Sequence, residues 1–514
     1  MKVCLIKPPI LHKGISFARM ATAPLGLAYI AGALKKAGHT VQAIDASAQG
    51  IHEKQLFHKD IYLFGLSKER IAEMIDEQTD VICFGFMFTN NWLYDRELVT
   101  YIKQKFPLAT LIAGGEHSNA AAELCLAQSP LDVVVRGEGE ETIVELLKFI
   151  QPGQDLSEVK GIVYRDNNGA FIKTPARKRI TSIKDIAWPA WEFFPVDAYF
   201  ENKMTMGIYR GKTLPVNATR GCPYDCTFCS SPQMWGRKYE MRPPGDFVDE
   251  LEHLHNTYGI DNFDLYDLTA IIKRDWILAM CKEILHRGLK INYQLPSGTR
   301  SEAIDYEVAQ HLYKSGCRNI SYAPESGSET VLKDIRKKVS IPNMLSSIRY
   351  SHKAGLNVKL NMIMGFPDDT HRDIWITMWF LVKCSWHGAH DAAPAIFSPY
   401  PGSLLYDRLA TENKVNIYDD AYLYENIDSY DLFPPKMYCE NISTLSLRLY
   451  IFVFLFVFYG TNYLFRPHRL LRTIYNLVTV RHESKIEQII HVNVLKNIAI
   501  LPTMIRNLRL RKTS

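Results

Sequence analysis

Gly221-Cys222-Pro223-Tyr224-Asp225-Cys226-Thr227-Phe228-Cys229 puts three cysteines on one short loop, at C-x₃-C-x₂-C spacing. Three thiolates so placed can hold three irons of a [4Fe–4S] cluster and leave the fourth iron open. Most such clusters take four cysteines, so the missing ligand leaves a coordination site for something else. A structural zinc site asks for a fourth Cys or His nearby, and none follows within the next dozen residues.

Working outward from this loop, strands and helices alternate. Apolar runs at 214–219, 262–266, 291–295, 319–322, 358–364 and 393–397 predict six strand–helix units, a partial (β/α)₆ barrel over 216–406. The cluster loop follows the first strand directly, at the carboxyl end where barrels place their chemistry. Tyr266 and Asp267 end the second strand at the same mouth and are candidates for facing substrate, with a paired-acid turn cap as the alternative for Asp267.

Residues 1–150 also alternate, with apolar runs at 3–6, 41–44, 81–85, 110–113 and 133–135. That pattern predicts a doubly wound, Rossmann-like parallel sheet whose ligands sit beyond the strand ends. The glycines at those ends, in Gly114-Gly115-Glu116-His117 and Arg136-Gly137-Glu138-Gly139-Glu140, let backbone approach a large flat ligand. Residues 151–215 read as a hairpin and linker, and 407–514 as a mainly helical C-terminal domain with an apolar helix and a basic tail.

The cysteine run, down to Phe228, resembles the signature of the radical S-adenosylmethionine (SAM) enzymes. The opening Lys7-Pro8-Pro9, the stretch from Ala23 to Gly32, Gly114-Gly115 and Arg136-Gly137-Glu138-Gly139-Glu140 together resemble the cobalamin-binding domain ahead of many such cores. The same domain order occurs in class B radical SAM methyltransferases and in the anaerobic Mg-protoporphyrin ester cyclase. The resemblance implies that Cys222, Cys226 and Cys229 ligate the cluster, with SAM cleaved to a 5′-deoxyadenosyl radical. Phe228 would pack by adenine, Glu325 and Ser326 would lie near the ribose and amino group, and Arg300 would pair with the carboxylate. Gly114, Gly115, His117, Gly137, Glu138 and Gly139 would line the corrin. The D-x-H-x-x-G motif that gives cobalt a histidine elsewhere is absent, so His117 is the histidine best placed near a corrin. Gly365-Phe366-Pro367-Asp368-Asp369-Thr370 resembles the family's G-F-P-x-E-T turn, with Asp369 expected to cap the following helix.

Composition bounds the rest. With 514 residues, 47% hydrophobic and 22% charged, the chain reads as a globular protein of two or three domains. Ten cysteines are too few for a disulfide scaffold, and the N-terminus lacks a signal peptide's long apolar region, so a cytoplasmic enzyme is expected. The net charge is +5, but residues 466–514 alone carry ten Lys/Arg against two Glu, or +8. Twelve residues at 449–460 form an apolar run too short to span a bilayer, which takes roughly 20. With the basic residues after it, the run reads as a core helix or as a peripheral contact with the inner face of the membrane. Nucleic acid is not expected, because few aromatics are interleaved with the charges. The expectation is a B12-dependent radical SAM enzyme that methylates an unactivated carbon of a hydrophobic small molecule, lipid or tetrapyrrole. A flavodoxin- or ferredoxin-type protein would supply the electron. A radical cyclase or other oxidative rearrangement, a corrin-free carbon–carbon coupling enzyme, and a non-enzymatic Fe–S redox sensor or carrier are the alternatives.

Overall fold

The computed structural model describes residues 1–13, 22–150, 154–166, 168–427, 436–479 and 481–491. The basic tail beyond 491 lies outside the described residues, as does Asn167 in the turn of the expected hairpin.

The N-terminal sheet has seven strands, in the order Phe171–Lys173, Ile162–Arg165, Val133–Val135, Thr110–Gly114, Val81–Gly85, Lys2–Lys7, Thr40–Asp45. The last five run parallel, and the first two join antiparallel at one edge. The parallel strands are apolar on both sides because helices cover both faces. Leu25–Lys36 and Gly139–Phe149 pack together over one face, and Trp92–Lys105 lies among the residues of the other. Two features differ from the sequence reading. The hairpin of the 151–215 segment extends this sheet instead of standing apart. A small antiparallel sheet of Ile10–Lys13, Lys54–His58 and Ile61–Phe64 also occupies a region read as helical.

The second sheet contains Thr213–Val216, Asn262–Leu265, Asn292–Thr299, Cys317–Glu325, Asn357–Met364 and Asp391–Ile396, all parallel and in chain order. Its two outer strands do not pair, so it is a partial barrel. Strict alternation along Asn357–Met364 sends Val358, Leu360, Met362 and Met364 into the buried core under the helices. Asn357 and Lys359 instead line a lumen cavity together with Gln294, Asn319 and Asp391.

A segment from the far end of the chain closes the floor of this lumen. The Lys485 ammonium donates to the carbonyls of Met206 (3.3 Å) and Gly207 (3.2 Å), and its backbone N–H to Asp391 (2.7 Å). Asn319 donates to the Glu483 carbonyl (3.2 Å). Outside the barrel, the 22-residue helix Thr444–Phe465 packs against His371–His387 and the last strand. Trp191 and Phe194 of the linker are buried in the core shared by both sheets, as a proline-rich stretch that cannot continue a helix allows.

Candidate active site

The cluster loop leaves the barrel after Thr219–Arg220, and its first turn is possible only with glycine. Gly221 has φ +85°, and a Cβ there would stand 2.1 Å from the Lys238 carbonyl oxygen. Asp267 braces the loop's base, accepting from the N–H of Ala218 (3.3 Å) and from the N–H and hydroxyl of Thr219 (2.5 Å each). Burial pushes its carboxyl up to about 6 against those hydrogen bonds. The structure therefore gives Asp267 the turn-cap position and spends its oxygens on the loop instead of on a substrate. Tyr266, half-buried, bonds Thr22 of the first domain and so sits on the seam between domains.

Cys222, Cys226 and Cys229 are partly exposed, whereas Cys4, Cys83, Cys125, Cys281, Cys317 and Cys384 are buried. Burial raises the thiols of Cys222 and Cys226, the latter to about 11, with the Lys337 cation pulling Cys226 the other way. Among the described residues no three thiol, imidazole or carboxyl groups converge as a single metal ion requires. A cubane instead asks for three sulfurs on three separate iron corners.

Around this loop stands a set of buried polar atoms without protein partners: Arg300 Nη1, Thr227 Oγ1, Ser301 Oγ, Asn217 Oδ1 and Thr269 Oγ1. Each such atom asks for a partner that the protein does not supply, such as a water or a bound ligand. Arg300 lies 3.8 Å above the ring of Tyr224, inside the cysteine loop, and its Nη2 donates to the Lys338 carbonyl. Glu325 is 5% exposed, holds φ +67° without being glycine, and pairs with Lys337 at 2.7 Å. Strain of that kind persists only where surroundings over-determine it. Although burial works against its charge, Lys337 is held above its ordinary value by the Glu325 carboxylate. The cation also lies 5.9 Å from the Phe228 ring centroid. Ser326 turns away from the mouth: its hydroxyl meets Thr377 (3.1 Å) and accepts from the Ser328 N–H (3.1 Å). Phe228 packs at 5.7 Å from Phe366. Asp369 accepts from Gly365 N–H (2.8 Å) and Phe366 N–H (3.1 Å), closing that turn. The helix cap falls one residue later, to Thr370 in a capping box with Asp373.

The first domain meets this loop through residues assigned from sequence to the corrin. Glu138 (3.1 Å) and Glu140 (2.5 Å) both accept from Arg220, which directly precedes Gly221 and is 4% exposed. Glu138 also accepts from the Ile180 N–H (2.8 Å). Glu138 is thus engaged in holding the two domains together. His117 is likewise not at a ligand face. It is 1% exposed and stands beside the Trp92 ring (5.2 Å), with Nδ1 at 3.1 Å from Thr89 and Nε2 at 3.6 Å from Cys125. Burial lowers its pKa to about 3, so it is a neutral core imidazole.

Gly114 and Gly137 do border open space, with no atom within 4 Å of where a Cβ would stand. Gly115 packs on Phe86, and Gly139 packs on Ile30. Sequence reading missed Met87 and Phe88, which stand exposed at the end of Val81–Gly85 (60% and 48%). An apolar pair at a strand's ligand end was the available signal. Glu116, in the strand-end run named from sequence, accepts from Ser230 (2.8 Å), the residue after Cys229.

Two family models match this chain. The B12 binding domain covers residues 18–147, and the Radical SAM superfamily covers residues 216–381. An uncharacterized methyltransferase of Pyrococcus horikoshii is 28% identical over 88% of this chain and 93% of its own length. The anaerobic magnesium-protoporphyrin IX monomethyl ester cyclase of Cereibacter sphaeroides is 27% identical over 82% of this chain and 65% of its own. Among solved structures, the radical S-adenosylmethionine methyltransferase TsrM of Kitasatospora setae, with cobalamin and [4Fe–4S] cluster bound, superposes with TM-score 0.63. It is 16% identical, over 80% of this chain and 78% of its own, which shows a shared fold.

Proposed function

Because the chain belongs to the radical SAM enzymes that carry a B12-binding domain, we propose that it methylates an unactivated carbon of a hydrophobic small molecule. Its cofactors are a [4Fe–4S] cluster, S-adenosylmethionine and cobalamin. When bound, these supply the one-electron cleavage of S-adenosylmethionine and the carrier of the transferred methyl group. The observation that carries the reading is the three-cysteine loop at the barrel mouth, ringed by buried, unpartnered polar atoms and locked to the first domain by Arg220.

In this reading Cys222, Cys226 and Cys229 hold the cluster. Arg300 offers its free Nη1 to the carboxylate of S-adenosylmethionine, a match of planar donor and acceptor. Glu325, paired with Lys337, would accept from the amino group or ribose, and Phe228 would lie against the adenine. Gly114, Gly115, Gly137 and Gly139 flank the corrin, with Met87 and Phe88 as its apolar neighbours, while His117 and Glu138 serve the scaffold. Asp267 fixes the loop's base. A tetrapyrrole substrate is supported by the cyclase relative.

The electron is proposed to come from an acidic flavodoxin- or ferredoxin-type protein. The basic rim of Lys333, Arg336 and Lys338 beside Asp225 supports that approach. A reducing cytoplasm is the proposed compartment, since the ten cysteines are free thiols.

The test is anaerobic purification of cells supplied with cobalamin, measuring iron and corrin per chain, then products from S-adenosylmethionine and candidate tetrapyrroles. Methylation gives S-adenosylhomocysteine together with 5′-deoxyadenosine. Deoxyadenosine alone supports the cyclase reading, which the ester cyclase relative favours. Four irons without corrin overturn the B12-dependent proposal.

A further inference from the structure

Three neighbouring helices carry a surface that the chemistry above does not use. On His371–His387 the outward row is Trp375, Trp379 and Trp386, which are 55%, 61% and 64% exposed. Tryptophan is rarely so exposed, and three in one helical row make a continuous apolar stripe. The adjoining helix Thr444–Phe465 turns Leu449, Phe452 and Phe456 outward, and Pro467–Thr479 does the same with Leu471, Ile474 and Val478. The helices touch: Trp375 stands edge-on to Tyr450, and Trp386 to Phe465.

Charge selects the occupant. Across these three helices the single acidic residue is Asp373, which is buried in its capping box. Arg372 and Lys383 flank the tryptophan row in solvent. An apolar, tryptophan-bearing face whose own helices carry cations and one buried acid, with Glu483 at its edge already paired to Arg472, is complementary to anionic headgroups over acyl chains.

Thr444–Phe465 is long and apolar enough to cross a bilayer, but its inner side is already committed. Asn462 donates to the Ala389 carbonyl (2.6 Å), Ser385 donates to the Phe458 carbonyl (3.2 Å), and Phe454 and Phe458 are fully buried. A helix docked on the barrel along one side cannot be ringed by lipid.

We propose that this three-helix face rests on an anionic lipid surface, with the helices in the interface plane and the tryptophans at headgroup depth. The inference shares with the functional reading only its hydrophobic substrate, which such a surface would deliver.

The experiment is flotation of the full, anaerobically purified chain with vesicles of phosphatidylcholine alone or with one quarter phosphatidylglycerol. The chain is expected to float with the anionic vesicles and to leave them as salt rises. The variant W375Q/W379Q/W386Q should bind about tenfold more weakly or worse. Iron content and S-adenosylmethionine cleavage, read without vesicles, should stay unchanged in the variant. Absence of iron and of cleavage in the unsubstituted chain would count against the functional reading and not against this one. No flotation with either vesicle overturns the proposal, as does flotation that the triple variant leaves intact. A dimer by sedimentation velocity that the variant converts to monomer also overturns it, because the face would then bind a second copy.

Discussion

Single residues differ in how far their surroundings reveal their work. The three cysteines were assigned to the cluster from local spacing alone, and replacing one tests that assignment directly. Cys226→Ala is expected to abolish S-adenosylmethionine cleavage, and deoxyadenosine formation by that variant would refute the assignment. Glu138 was illegible in its true environment because its partner Arg220 lies 82 positions away. His117 was misread because a glycine-rich turn says nothing of how deeply its next side chain is buried. Asp369 offers a pH test. Burial raises its carboxyl to about 7, ahead of the backbone N–H groups that oppose the shift. An unfolded aspartate ionises near about 4, so the fold favours the protonated form. Stability contributed by this group is therefore present at low pH and lost as pH climbs from about 4 to about 7. Asp369→Asn, which keeps an oxygen for Gly365 and Phe366, should flatten the fall in melting temperature between pH 5 and 8. An unchanged slope would place the titration elsewhere.

Elements were read well wherever one face is buried. The six barrel strands were found within a few residues because alternation or an apolar run marks each of them. The strand Lys54–His58 was missed for the converse reason: four of its five residues are exposed, so no period-two signal exists. The 22-residue helix was read as an apolar run of 12, because Thr444 to Arg448 mixes polar residues into its first turn. Packing between elements makes its own prediction at Gly32, where the first helix crosses the linker. A Cβ at Gly32 would lie 2.2 Å from the Trp188 carbonyl oxygen, and Ala190 donates to the Ala28 carbonyl beside it. Gly32→Ala should push the helix off the linker and cost about 1–3 kcal/mol in denaturant unfolding. Unaltered stability would mean that the linker can retreat without loss.

At the scale of the whole molecule, one buried cation stands at the seam of the two sheets. Arg220 is the buried cation between Glu138 and Glu140, and it stacks 4.9 Å from the ring of Tyr29 on the first domain's helix. Removing it would take Glu140's buried ion pair away and leave Glu138 with Arg179 at 3.4 Å, a loss on the order of 3–5 kcal/mol for a broken buried pair. The intact protein is expected to unfold in one calorimetric transition. Arg220→Gln should give two, with iron released in the earlier one. A single transition in the variant would show that the shared apolar core alone couples the domains. The closed floor of the barrel carries a consequence of a different sort. Its seal, Lys485, is made long after the last strand that it caps. A ribosome therefore finishes all six strands while the lumen still opens at both ends. Chains cut short before Lys485 would keep every cysteine and yet lack the contacts that close this floor.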